Sequence, residues 1–421
     1  MNIILALLFL LLPSVALGQP FQGFGSQTPG GAGGDVFVVD TLADSGPGSL
    51  REALAGGSRT ILFSVAGTIL TKKDLVVLHP FVTIDGSTAP GIGITISGEG
   101  GLVVHGTPRY HAGADAHDVI ITNLRVRTVK SDAIGIGWGA YNVVVDHVSA
   151  DGSGDGTIDI THGAHDVTVS WSIFGTKDGK LSLIKTMFLP GGPEGVPAET
   201  NHITFHHNIL TSVVGVKRSE RNPRIGSLKD GSYLATAITA DFRNNIVANW
   251  EQGHGTDVEC GAKANLVNNL YTSPLSSPED QAQAIELRPE GYNCFNFGNN
   301  IYGGYAYVAG NLNADSSSVK VYGPNLNSNP ALAQANPYPA APVGTDETCE
   351  AVGKVLDDAG CSVGGLDKTD TNYLALIRVP EVCGGINPPP PPPPPGGEFM
   401  KGDTVRMTVG TTVYQRSFET S

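Results

Sequence analysis

VIITNLRV (residues 119–126), VVVDHVSA (143–150), VTVSWSIF (167–174) and ITFHHNIL (203–210) are four versions of one phrase. Their first residues, Val119, Val143, Val167 and Ile203, are 24, 24 and 36 positions apart. Each phrase is a short β-branched run closed by polar residues. A period near 24 with short strands and tight turns is the pattern of a coiled β-solenoid. One coil cannot bury its inner face alone, and stacking makes a continuous core. Working outward, FVTIDGST and GITISGEG read as earlier rungs, and FRNNIVAN, NLVNNLYT and FGNNIYGG as later ones. The last three centre on Asn245, Asn269 and Asn300. The pairs Asn244-Asn245, Asn268-Asn269 and Asn299-Asn300 are expected to stack as amide ladders. The 36-residue interval is one coil plus an insertion, expected in KTMFLPGGPEGVPAETN from Lys185. Loops leaving one side of a rigid stack are where binding sites grow.

Composition agrees with this reading. The 421 residues include 55 Gly and 28 Pro, with 16% charged and 40% hydrophobic side chains. That is too apolar for a disordered chain and too rich in turn formers for a helical one. Length alone would suggest two or three domains; the repeat replaces them with one long all-β solenoid. The segment DTLADSGPGSLREAL predicts a short helix capped by Ser49, closing the end of the stack.

The ends read differently. Residues 1–18 carry an apolar run, Ile3–Leu12, of the length of a signal-peptide core, with Ala16-Leu17-Gly18 for cleavage. Export is expected, although the first residues lack Lys and Arg. The catalytic solenoid is then 19–387, followed by a polyproline spacer at 388–397. Residues 398–421, with the alternating GDTVRMTVGTTVY, form a tail or the start of a small β module. Five cysteines, Cys260, Cys294, Cys349, Cys361 and Cys383, allow two disulfides and one free thiol.

Net charge is −14, which argues against nucleic-acid or anionic-membrane binding. Local clusters matter more. Asp132, Asp155 and Asp159 fall on adjacent coils. Asp132 and Asp155 are expected one above the other, about 4.8 Å apart. Carboxylates crowded this way suit Ca²⁺, a hard ion that takes oxygen ligands, or else cap turns. Lys180 follows, then Lys217, Arg218, Arg221 and Arg224, four cations within eight residues. Carboxylates able to hold a cation, followed by cations on later coils, make a site for a polyanionic carboxylate substrate. Trp138, Trp171 and Trp250 are candidate sugar platforms.

At these residues the chain resembles polysaccharide lyase family 1, the pectate lyases. The pieces are VVVDH (143–147), DGTIDI (155–160), VTVSWSIF followed by Lys180-x-x-Leu-Ile, and ITFHHN followed by Arg221-x-Pro-Arg224. The resemblance implies a single-stranded right-handed parallel β-helix, secreted and monomeric, acting on polygalacturonate or pectin. It implies that Asp132, Asp155 and Asp159 bind calcium. Lys180 would grip a substrate carboxylate and Arg221 would act as base, with Arg218 or Arg224 also on substrate. The reaction implied is β-elimination. Arginine ordinarily stays protonated, so activity is expected to rise toward alkaline pH. Two positions depart from the family: Lys130 stands where many members have an acid, and Gly226 where many have a second arginine. A pectin lyase on methyl-esterified chains, a β-helix polygalacturonase and a non-catalytic glycan-binding protein are the rival readings.

Overall fold

The computed structural model describes residues 21–106, 112–152, 154–177, 181–184, 201–212, 221–226, 238–250, 254–259, 261–273, 284–288, 303–319, 321–322, 332–385, 404–409 and 412–417. Among these, the strands form three parallel sheets of eleven, nine and nine strands, plus a two-stranded antiparallel hairpin. Each complete coil contributes one strand to each sheet, and the first sheet gains one further strand at either end. In one coil these are Tyr141–Asp146, Ser149–Asp151 and Ile158–Ile160, after which the chain returns to the first sheet at His165–Ser170. The architecture is a right-handed parallel β-helix.

The four phrases are in register. Val119, Val143, Val167 and Ile203 are successive partners in the first sheet. FVTIDGST belongs to the same column, because Val82 pairs with Val119. GITISGEG does not: its strand, Ile94–Gly98, lies in the third sheet beside Arg125–Val129. It is a later part of the coil that FVTIDGST begins, not a rung of its own.

Alternation builds the core. Val143, Val145, Ile158 and Ile160 point inward and are fully buried, as are Ile134 and Ile225. At the corner between the first and third sheets, six successive rungs place Asn123, His147, Trp171, His207, Asn244 and Asn268 in the left-handed region, with φ of 47–57°. One residue further on, the chain turns into a ladder of buried amides. Asn208 donates from N and Nδ2 to Asn245 Oδ1, Asn245 donates likewise to Asn269, and Asn269 to Asn311. The expected ladder therefore holds at Asn245 and Asn269, and its next rung is Asn311; Asn299 and Asn300 lie outside the described residues. Asn244 and Asn268 face outward instead, and both donate to the carbonyl of Asp346.

Two of the sheets are covered on their outer faces. The helices Thr348–Asp358 and Lys368–Ala375 place Val352, Val355, Leu356 and Tyr373 on Ile173, Ile209, Ile246 and Leu270 of the third sheet. The segment near Phe24 lies on the first sheet, where Gly25 N–H donates to Thr168 Oγ1 and Phe24 N–H to Thr204 Oγ1. That leaves the second sheet to carry an outward row of ionisable groups.

The predicted cap is present as one turn, Leu50–Ala53. Ser49 Oγ accepts from Glu52 N–H, and Glu52 reaches back to Gly48 N–H. Leu50, Ala53 and Leu54 join the core at that end. The insertion falls between the strands Ser182–Ile184 and Asn201–His206; residues 185–200 themselves lie outside the described set. So do 1–20 and 386–400, and with them the signal and spacer readings. The tail pairs Thr404–Val409 with Thr412–Ser417 as a hairpin. Cys349 and Cys383 form a disulfide and Cys361 is a buried thiol; Cys260 and Cys294 lie outside. No helix among the described residues is long and apolar enough to cross a membrane.

Candidate active site

The outward row of the second sheet follows from its register. Val76, Val103, Gly135 and Asp159 are successive partners. Leu183, Arg224, Asp257 and Glu286 continue the row. Asp159 sits within the strand Ile158–Ile160, between two core isoleucines.

Asp132 and Asp155 lie in the bends that lead into this row. Extending the pairing of Ile134 with Ile158 sets Asp132 opposite Gly156 rather than Asp155. The two carboxylates nevertheless act on each other. Asp132 Oδ1 accepts a 2.8 Å hydrogen bond from Gly156 N–H. Its carboxyl is pushed up to about 6, first by burial and then by the charges of Asp155 and Asp74; the Gly156 N–H and the Arg221 guanidinium work against this. Asp155 is exposed and Asp159 is buried.

Gly156 lies where these groups converge. A Cβ there would sit 2.3 Å from Asp159 Oδ1. Asp132 thus takes the N–H of Gly156 while Asp159 lies against its α-carbon. Gly135, on the neighbouring strand, also lacks a side chain, and Asp132 Oδ2 lies 3.8 Å from its ideal Cβ position.

Sequence reasoning missed Asp74. Its Oδ1 accepts from Ser131 Oγ at 2.6 Å and from Gly101 N–H at 3.1 Å. Arg51 of the capping turn donates to the Asp74 and Lys73 carbonyls and to Asp44. The end cap therefore anchors the bend that brings an acid toward Asp132. The only sequence signal was an Asp directly before the apolar run LVV.

Arg221 is half-buried, and its charge reaches Asp132. The next residue, Asn222, is fully buried and donates from Nδ2 to the His254 carbonyl at 2.9 Å. Arg224 is placed differently. Its Nε and Nη2 each lie 2.9 Å from a Glu259 carboxylate oxygen, and Asp257 is 3.6 Å away. Arg288 binds Asp257 at 2.8 Å, and His254 binds Glu286 at 2.7 Å. Burial and then Glu259 push the Asp257 carboxyl up to about 7. Arg224 is thus held in a buried ionic network. Gly226 belongs to it too: at φ +144°, a Cβ there would lie 2.4 Å from the Glu259 carbonyl oxygen. Lys130, the other departure, is exposed and paired with Glu99 at 2.7 Å. Lys180, Lys217 and Arg218 lie outside the described residues.

Among the described residues, no three His, Cys, Asp or Glu side chains are grouped as a ready metal cage. The donors near Gly156 fit a hard cation in kind, being carboxylate oxygens of which Asp132 and Asp155 repel each other. The tryptophans do not offer open faces. Trp138 is stacked between His162 at 3.8 Å and His105 at 5.5 Å. Trp171 lies between His207 and His147. Trp250 is buried against Tyr271, so the platform reading fails there.

No protein-family model matches the chain. It is 29% identical over 365 residues to a probable pectate lyase C of Aspergillus fumigatus, covering 85% of this chain and 76% of that one. It is 31% identical over 261 residues to a probable pectate lyase C of Emericella nidulans, covering 61% of this chain and 53% of that one. A probable pectate lyase 6 of Arabidopsis thaliana is 30% identical over 218 residues, 48% of this chain and 45% of that one. Among solved structures, the fold is similar to the cedar-pollen allergen Jun a 1, with TM-score 0.54 at 17% identity over 81% of this chain and 92% of that one. It is similar also to a Bacillus sp. N165 pectate lyase solved with trigalacturonate, with TM-score 0.52 at 18% identity over 81% and 99%.

Proposed function

We propose that this chain, a homologue of the pectate lyases with the fold and motifs of polysaccharide lyase family 1, cleaves α-1,4-linked polygalacturonate by β-elimination, leaving a 4,5-unsaturated sugar. The observation that carries the reading is the electrostatic meeting of Asp132 with Asp155 and Arg221, in the bends that lead into the second-sheet strand of Asp159. The proton on C5 of a galacturonate is α to a carboxylate, so its removal gives an enolate-like anion. Arg221 in its neutral form takes that proton, the C4–C5 double bond forms as the C4–O bond breaks, and the departing oxygen keeps that bond's electron pair and takes a proton from solvent, so no water is added across the bond. Lys180 holds the substrate carboxylate as a point charge.

Asp132, Asp155 and Asp159 would hold Ca²⁺ in this reading, and the bound cation would supply positive charge against the developing anion. Export through residues 1–18 would bring the protein to its polymeric substrate.

The test is the ultraviolet absorbance of the unsaturated product from polygalacturonate, with and without a calcium chelator, for wild type and Arg221→Ala. Chelator-sensitive product that the variant fails to make is expected. Saturated products would favour hydrolysis, and binding without any cleavage a glycan-binding protein.

A further inference from the structure

Thr256 puts a hydroxyl inside the solenoid. Its strand, Thr256–Val258, turns Asp257 outward, so Thr256 points into the core beside Ile285 of the next coil. Earlier coils fill the same inward column with Ile134 and Ile158. Valine has the shape of threonine, so volume alone does not call for a hydroxyl there. The hydroxyl has two partners. It donates to the Asn222 carbonyl at 3.1 Å, and the Tyr271 hydroxyl lies 2.9 Å away. Its single proton goes to a carbonyl that can only accept, so the tyrosine hydroxyl donates to Thr256. Thr256 and Asn222 are fully buried and Tyr271 nearly so. The chain Tyr271–Thr256–Asn222 therefore runs in one direction and ends on the residue after Arg221. The same stretch holds the neighbouring groups. Asn222 Nδ2 donates to the His254 carbonyl at 2.9 Å, and Asp257 N–H donates to the Pro223 carbonyl at 3.1 Å.

We propose that Thr256 and Tyr271 are positioning residues for Arg221, fixing the Asn222 peptide and with it the place from which the guanidinium reaches the acidic coils. The inference rests on the lyase reading above and adds to it two core residues that touch no substrate. The argument is geometric. Asn222 is gripped at its side chain and at its carbonyl, both times from the next coil, so the backbone at Arg221 cannot shift without stretching one of these bonds. Proton abstraction needs the base in a near-attack arrangement, where a displacement of about 1 Å costs roughly 100-fold. Hydrogen bonds in a dry interior hold a direction more firmly than methyl contacts do.

The experiment measures kcat and KM for unsaturated product from polygalacturonate, beside urea unfolding, in the full chain. Thr256→Val should lower kcat about 10- to 100-fold with KM within about twofold, the pattern of an arrangement needed only in the transition state. Thr256→Ser keeps the hydroxyl and should recover most of the rate. Tyr271→Phe should lower kcat about two- to tenfold, the kinetic equivalent of one hydrogen bond, and serves if Thr256→Val does not fold. Thr168→Val removes an equally buried hydroxyl, one that binds the Gln22 carbonyl on the first sheet. It should lower the unfolding midpoint and leave kcat unchanged. Wild-type kcat in folded Thr256→Val or Tyr271→Phe, an effect on KM alone, no recovery in Thr256→Ser, or an equal fall in Thr168→Val overturns the inference and leaves the lyase reading standing. No unsaturated product from the wild type overturns that reading and this inference with it.

Discussion

The carboxylate of Asp159 is folded onto the α-carbon of Gly156, so closely that a methyl group there would stand 2.3 Å from Oδ1. The obstacle is the end of a side chain rather than backbone, so the fold can accept an alanine while Asp159 cannot stay. Gly156→Ala should therefore melt within a few degrees of wild type and lose roughly 100-fold in kcat/KM, the scale of an ångström-sized misplacement at a reacting centre. Calorimetry paired with the absorbance assay checks it. Wild-type activity in a folded Gly156→Ala protein would remove Asp159 from the site.

Arg221 and Arg224 are three residues apart and should respond oppositely to substitution. Arg224→Met strips buried Glu259 of both its 2.9 Å hydrogen bonds and leaves Arg288 as the remaining cation beside Glu259 and Asp257, which costs about 3 kcal/mol, the low end for a broken buried pair. The midpoint of denaturant unfolding should drop strongly. Arg221→Lys should leave that midpoint nearly unchanged and abolish turnover. A stable Arg224→Met protein with a raised KM would restore Arg224 to the substrate.

The amide ladder predicts a second stability effect. Asn245 accepts two hydrogen bonds from Asn208 and donates to the carbonyls of Phe205 and Arg243 and to Asn269. Asn245→Ala strands a buried backbone N–H on one coil and side-chain groups on two. A loss of about 2–4 kcal/mol is expected, measured by urea unfolding. Asn313→Ala, on a partly exposed residue, is the control and should cost under about 1 kcal/mol.

Burial, then the charges of His207 and Arg243, push the His206 imidazole down to about 3. The unfolded chain binds that proton near pH 6.5, so between about 6.5 and 3 the unfolded state holds more protons. Stability from this group is present above the unfolded pKa and falls as pH drops through that window, by up to about 1.4 kcal/mol per pH unit. Unfolding free energies from pH 7 to pH 4 should show a slope shallower by up to one proton in His206→Gln.

What the sequence made legible was whatever repeats. Val119, Val143, Val167 and Ile203 share one inward column, so their spacing fixed the coil and located the insertion. Asp132 and Asp155 were found because they lie 11 and 12 residues before Val143 and Val167 of that column; Arg221 was found in the cation cluster and through the Arg-x-Pro-Arg motif. Asp74 was not, because its coils are 27 and 32 residues long and a 24-residue ruler passes over it. Asn311 was missed for the same reason, standing 42 residues beyond Asn269. Arg224 looked like an available cation because its partner, Glu259, is 35 residues away in a stretch without the phrase. Burial of Trp250 depended on neighbours that no local pattern names.

The strand pairing passes across residues 185–200 undisturbed: Ile160 meets Ile184 before them and Val167 meets Ile203 after them. Contour length and spatial position are therefore decoupled in this molecule. A coil can lengthen outward by a dozen residues and return one rung higher, at a cost set by loop closure that grows only with the logarithm of the added length. Mutation can then reshape the walls of the cleft coil by coil, while the spacing of the groups on its floor stays as the backbone ladder sets it.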